Sequence, residues 1–108
     1  MAGPSNVPLG NVAFNFLLGP KLTPVAVAAD TSAEQSFTVP GLAVGDFVDI
    51  NGPSITAGLG IINVRVSAAN TLVVGWQNST AGSLTPPSGI YQLSVNRPSA
   101  TPVPTLIE

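Results

Sequence analysis

Apolar residues in this chain recur at alternate positions, in short runs bounded mostly by Pro, Gly, Asn or Ser. No window of about 12 residues carries an apolar stripe at helical spacing without a breaker or a β-branched run inside it. The runs Val25 to Ala28, Gln35 to Val39, Asp46 to Asn51, Leu59 to Val66, Thr71 to Trp76 and Gly89 to Val95 therefore read as short strands, with Val and Ile prominent. Strands this short and this numerous predict an all-β fold, a small antiparallel β-sandwich or barrel-like domain.

The stretch from Leu59 to Trp76 also predicts its own pairing. Alternation places Ile62, Val64 and Val66 on one face and Ile61, Asn63 and Arg65 on the other, while Leu72, Val74 and Trp76 share a face of the next strand. The two apolar faces coincide only if the connecting loop has an odd number of residues, which Ala68-Ala69-Asn70 provides. A type I turn followed by a left-handed residue is a common loop of this length, and Asn tolerates that conformation best after Gly. Ser67 would then face Thr71, with Ile62, Val64, Val66, Leu72, Val74 and Trp76 facing the core. Val25 to Thr31 has a similar pattern with Asp30 in the turn, and predicts a second hairpin of the same kind.

Both ends depart from this middle. Residues 1–23 mix Pro4, Pro8 and Pro20 with Phe14, Phe16, Leu17 and Leu18, and residues 98–108 carry Pro98, Pro102 and Pro104, so that neither suits a helix. The chain divides on this reading into an extended N-terminal arm (1–23), a β domain (24–97) and a Pro-rich C-terminal arm (98–108). Such arms bury their apolar groups either by lying on a neighbouring subunit or by folding back on their own domain. The N-terminal stretch lacks a positive n-region and is interrupted by Pro4, Pro8 and Gly10, so it does not read as a signal peptide. No run approaches the roughly 18 apolar residues of a membrane span.

Charge changes the picture further. Only 7% of the 108 residues are charged, against roughly 25% in ordinary soluble domains, while the hydrophobic fraction of 44% is unexceptional. With few ions to keep it apart from neighbours, much of the surface is expected to be covered by other subunits; the alternative is a monomer solubilised by hydroxyls and amides. The chain contains neither Cys nor His. That removes Ser-His-Asp and Cys-His catalysis, almost every zinc site and the usual general base near neutral pH. A net charge of -2, with Lys21, Arg65 and Arg97 as the cations, argues against a nucleic-acid partner. The expectation is a non-enzymatic protein with no cofactor, no metal and no membrane partner.

The remaining candidate sites are sparse. Asp46 and Asp49, three apart on a strand, face opposite sides and read as solvated strand-end or turn residues. Asp30 and Glu34 make at best a weak cation site without a third oxygen-rich neighbour. Asn78-Ser79-Thr80 matches an N-glycosylation pattern, but loop chemistry after Trp76 explains it better. Trp76 and Tyr91 would form a sugar-stacking platform if exposed; Trp76 continues the Leu72 and Val74 face and reads as core. Arg65, opposite that face, is either a solvated strand residue or one half of an intersubunit ion pair.

The runs Thr38-Val-Pro-Gly-Leu-Ala-Val-Gly-Asp-Phe-Val48, Thr56-Ala-Gly-Leu-Gly-Ile-Ile-Asn-Val-Arg-Val-Ser-Ala-Ala-Asn-Thr-Leu72, Asn78-Ser-Thr-Ala81 and Ser88-Gly-Ile-Tyr91 resemble small β-rich structural proteins of tailed bacteriophages. The resemblance covers about residues 24–97 and lies in pattern more than in a diagnostic motif. Within that class the chain looks most like a capsid decoration, or cement, protein. The resemblance implies a homotrimer that sits on the outer capsid, bridges subunits of the major capsid protein and is made in the host cytoplasm before joining the virion. A tail or fibre module is the alternative, and a free carbohydrate-binding module a more distant one. Phe14, Phe16, Leu17 and Leu18 are then the candidate anchors of the N-terminal arm and Val103, Leu106 and Ile107 those of the C-terminal arm, with Arg65 as a further partner-binding residue.

Overall fold

Alternation does produce strands, and more of them than the Pro and Gly punctuation suggests. In the computed structural model, which describes residues 12–99, every regular element is a β-strand. They are β1 (Val12–Leu18), β2 (Lys21–Leu22), β3 (Thr31–Thr38), β4 (Phe47–Asn51), β5 (Leu59–Ala68), β6 (Thr71–Asn78), β7 (Gly89–Ile90) and β8 (Gln92–Pro98). Two three-stranded antiparallel sheets form, in the orders β1-β8-β4 and β3-β6-β5, with a short β2-β7 ladder.

The sheets pack their inward faces together. Phe16 and Leu18 of β1, Leu93 and Val95 of β8, and Val48 and Ile50 of β4 share one cluster with Phe37 of β3, Leu72, Val74 and Trp76 of β6, and Ile61, Val64 and Val66 of β5. Side chains such as Leu72 and Leu93 are fully enclosed, and each contributes about 1.5–3 kcal/mol through burial. The arrangement is a sandwich. Its barrel-like side is the seam where β4 and β5 run close together without a hydrogen-bonded ladder.

The domain begins earlier than residue 24. β1 and β2 lie in the segment expected to be an arm, because Val12, Phe14, Phe16 and Leu18 alternate and pair with β8 across the whole strand. Conversely, Val25 to Ala28 makes no strand. Only Val27 bridges, exchanging backbone hydrogen bonds with Leu84 at 2.7 and 3.1 Å, while the Gln35 amide holds both backbone groups of Val25. The second hairpin therefore does not form, although Asp30 does sit in a turn with a left-handed φ of 51°.

The β5-β6 hairpin forms with two local shifts. Asn70 is left-handed, at φ 60°, as its place in the loop requires. Ala68 rather than Ser67 opposes Thr71, because Ser67 is the extra residue between the Val66-Leu72 and Ala68-Thr71 pairs. A second bulge lies at Ile62, between the Ile61-Trp76 and Asn63-Gly75 pairs. One extra residue reverses the side-chain parity beyond it. Ile62 is thereby turned outward and 59% exposed, against expectation, and Ile61 takes its place on the core.

Candidate functional site

The few charges are spent mostly on the fold itself. Arg97, near the end of β8, points along the inner side of its sheet. Its Nε donates to Asp46 Oδ1 at 2.8 Å and one Nη to Asp46 Oδ2 at 2.8 Å, and that Nη also donates to the Gly41 carbonyl at 2.6 Å. The Ala43 N–H donates to Asp46 Oδ2 at 2.9 Å. The guanidinium lies 5.2 Å from the Phe16 ring centre and 6.0 Å from that of Phe14, close enough for cation–π attraction. Asp46 is therefore a buried ion-pair partner, its side chain only 1% exposed, and not the solvated turn residue expected. The Arg97 hydrogen bonds, helped by the Ala43 N–H, hold its carboxyl below the ordinary value despite the opposing effect of burial.

Arg65 finds its partner within the chain. It spans the central strand of the β3-β6-β5 sheet to meet Glu34 in a bidentate pair, with Nε to Oε2 at 2.9 Å and Nη to Oε1 at 2.8 Å. On β6 the pair crosses between Gly75, which opposes Glu34, and Val73, which opposes Arg65. Both side chains are about half exposed, so the pair is worth little in stability. Its hydrogen bonds lower the Glu34 pKa and raise that of Arg65. What the pair does is neutralise the outer face of this sheet, which otherwise carries Ser32, Ser36, Thr38, Asn63, Val73 and Gln77 by register, with Ile62 turned out beside them at the bulge.

The expected N-arm anchors separate into two groups. Phe16 and Leu18 pack inward against the core, and Phe14 lies beneath Arg97 with 57% of its surface open. Leu17 alternates outward and is 80% exposed. It shares the outer face of the β1-β8-β4 sheet with Asn15, Ser94, Asn96, Phe47 and Asp49, and Phe47 is also well exposed. Beside Leu17, a depression of about 420 Å³ is lined by Leu18, Ile50, Ile90, Gln92 and Leu93 among others. The exposed Leu17, Phe47 and Ile90, with Asp49 as the carboxylate among them, give this side of the sandwich an apolar patch. Val103, Leu106 and Ile107 lie outside the described residues.

Asn78 is a buried organiser of the turn after β6. Its Nδ2 donates to the carbonyls of Val27 and Gly82, at 3.0 and 2.9 Å, and its Oδ1 accepts from Thr80 N and Oγ1, at 2.9 and 2.7 Å. An amide so enclosed has no room for a glycan, so the loop reading of Asn78-Ser79-Thr80 holds. Trp76 and Tyr91 are both buried and meet edge to face at 6.3 Å. Neither offers the exposed ring that sugar stacking requires.

Among the described residues no three His, Cys, Asp or Glu side chains come together as metal ligands. The Asp46-Arg97 pair and the Asn78 knot escaped the sequence reading. The pairing of a scarce cation with a scarce anion was the available signal for the first; a polar residue on the Leu72, Val74 and Trp76 face was the signal for the second. Comparison with protein-family models, with curated proteins and with solved structures finds no match to this chain.

Proposed function

We propose that this protein is a non-enzymatic structural protein of a tailed-phage virion, a capsid decoration protein that binds the outer capsid and bridges subunits of the major capsid protein. The observation that carries the reading is the quenched charge of the sandwich. Four of the seven charged side chains in the described residues, Asp46, Arg97, Glu34 and Arg65, are tied in ion pairs within the chain, and only Lys21, Asp30 and Asp49 remain. Two sheet faces built from hydroxyls, amides and exposed Leu17, Phe47 and Ile62 have little to hold them in water and little to lose on being covered. A rigid β body with such faces suits a part that is packed against on a lattice, where several weak contacts act together through effective concentration. The phage assignment itself rests on the resemblance of the runs within residues 24–97.

Removing residues 1–18 would take Phe16 and Leu18 out of the core, so docking is better tested by Leu17→Asp and Phe47→Asp, which leave the interior alone. Purified phage capsids lacking the protein should bind the wild type and retain less of each variant at equal folded concentration. Size-exclusion chromatography with light scattering should show an oligomer, a trimer on this reading. A stable monomer that ignores capsids would overturn it.

A further inference from the structure

Asn51-Gly52 is the one Asn-Gly pair in the chain, and the fold does not use it in the ordinary way. Such a pair commonly builds a tight hairpin turn, with both residues at positive φ. Here β4 pairs with β8 rather than with the next strand, and neither Asn51 nor Gly52 has a positive φ. Gly52 serves packing instead. A Cβ at that position would stand 3.2 Å from Tyr91 Cε2 and 3.4 Å from the Ser54 carbonyl oxygen, so the absence of a side chain lets the backbone lie close against the buried tyrosine ring.

That arrangement leaves a reactive dipeptide in the open. Asn51 ends β4, faces outward with Phe47 and Asp49, and is exposed, as is Gly52. Past Asn51 the ladder to β8 stops, and among the described residues no backbone carbonyl accepts from the Gly52 N–H. The backbone nitrogen that follows an Asn can attack the side-chain carbonyl carbon of that Asn. The attack needs a nitrogen free of hydrogen bonds and a small following residue, and glycine obstructs it least. The other described asparagines do not meet both conditions. Asn15, Asn63, Asn70 and Asn96 are each followed by a bulky or β-branched residue. Asn78 precedes the smaller Ser79, but its amide is buried and held by four hydrogen bonds, and the Ser79 N–H donates to the Gly58 carbonyl at 3.0 Å.

We infer that Asn51 is a self-modification site, at which the side-chain amide is lost to water and a carboxylate takes its place. Base removes the Gly52 amide proton, and the nitrogen bonds to Asn51 Cγ as the Cγ–Nδ2 bond breaks; Nδ2 takes a proton from solvent and leaves as ammonia. Water then opens the five-membered imide. Its hydroxyl goes to Cγ, giving Asp, or to the Asn51 backbone carbonyl carbon, giving the β-linked isomer, and its proton returns to the Gly52 nitrogen. Nothing is oxidised or reduced. The new carboxylate stands among the residues that line the depression beside Leu17, where Asp49 already lies. It adds a negative charge to a chain of net charge -2, on the side that exposes Leu17, Phe47 and Ile90. An ion there must lose water whenever an apolar partner covers the patch. The reaction depends on this chain alone, whereas its effect on capsid binding rests on the decoration reading.

Ageing the folded full-length protein in warm, mildly alkaline buffer, followed by peptide mapping with mass spectrometry, tests the site. The wild type should gain one mass unit in the peptide that carries Asn51, with Asp and its β-linked isomer as products. Asn51→Gln, whose longer side chain closes a ring far more slowly, should show no gain there over the same interval. A wild type that stays unmodified, or that reacts first at Asn78 or another asparagine, would overturn the inference. Fresh and aged protein are then compared on purified capsids lacking it. Aged wild type should be retained several-fold less than fresh, while ageing leaves the retention of Asn51→Gln unchanged. Equal retention of fresh and aged wild type would overturn the effect on docking. Fresh protein that ignores capsids refutes the decoration reading instead, and leaves the mapped reaction at Asn51 standing.

Discussion

Replacing Asp46 with Asn keeps the shape of the side chain and removes its charge where the chain has invested most electrostatics. The native carboxylate accepts two hydrogen bonds from Arg97 and one from the Ala43 N–H, all at 2.8–2.9 Å, with its side chain 1% exposed. Asn can accept at one oxygen only, and its amide group would turn a donor toward a guanidinium that is itself all donors. Breaking a buried pair from one side costs about 3–5 kcal/mol. Arg97 keeps 28% of its side chain in water and its bond to the Gly41 carbonyl, which relieves part of that penalty. The expected loss is therefore about 2–3 kcal/mol, or roughly 10–20 °C in Tm for a domain of this size. Urea unfolding followed by Trp76 fluorescence measures it. Arg97→Gln should be similarly damaging, and the double variant should lose clearly less than the sum of the two. The pH dependence gives a separate check. The folded pKa of Asp46 lies below its ordinary 3.8, so its contribution is complete above that value and disappears as pH falls through the folded pKa. The Asn variant should lack this part of the acid-induced loss, retaining that from Glu34, whose pKa Arg65 also lowers. An Asn variant within about 0.5 kcal/mol of wild type at neutral pH would refute the reasoning.

Other perturbations separate the parts of the fold. Asn78→Ala removes a buried amide with four hydrogen bonds and should cost about 2–4 kcal/mol by denaturant titration, with Thr80 and the Val27 bridge losing amide-exchange protection first. Gly58→Ala should destabilise by about 1–3 kcal/mol in a thermal melt, since its φ is 86° and a Cβ would come within 2.3 Å of Thr80 Cγ2. Gly75→Ala should instead raise stability by about 0.5–1 kcal/mol, because a Cβ there meets Ile62 and Asn63 at ordinary contact distances of 3.5–3.6 Å. Ile62→Ser, on the outward bulge, should change stability by less than about 0.5 kcal/mol, whereas Ile61→Ser should cost several times more; equal effects would place the bulge elsewhere.

Particular residues mark how far the sequence could be read. Leu72, Val74 and Trp76 alternate without interruption, and all three are buried. Asn70 and Asp30 were legible as turn residues because left-handed backbone favours few side chains, and both adopt it. The alternation of Val12, Phe14, Phe16 and Leu18 was equally present, but Pro and Gly on either side made the segment look like an arm. Of the candidate docking residues, Leu17 keeps an exposed side chain free for a partner, while Phe16 and Leu18 are consumed by the core and Arg65 by Glu34.

What the sequence determined by itself was the strand character, the turns and the scarcity of charge, since these depend on a residue and its near neighbours. The tertiary structure decided the rest. β8 lies between β1 and β4, and Asp46 meets Arg97 across 51 positions, choices made by which apolar faces can close on one another. The bulge at Ile62 belongs to the same level. Its parity is set by the partner strand and the core it must fit, so a strictly alternating sequence could not show which isoleucine, Ile61 or Ile62, would face inward.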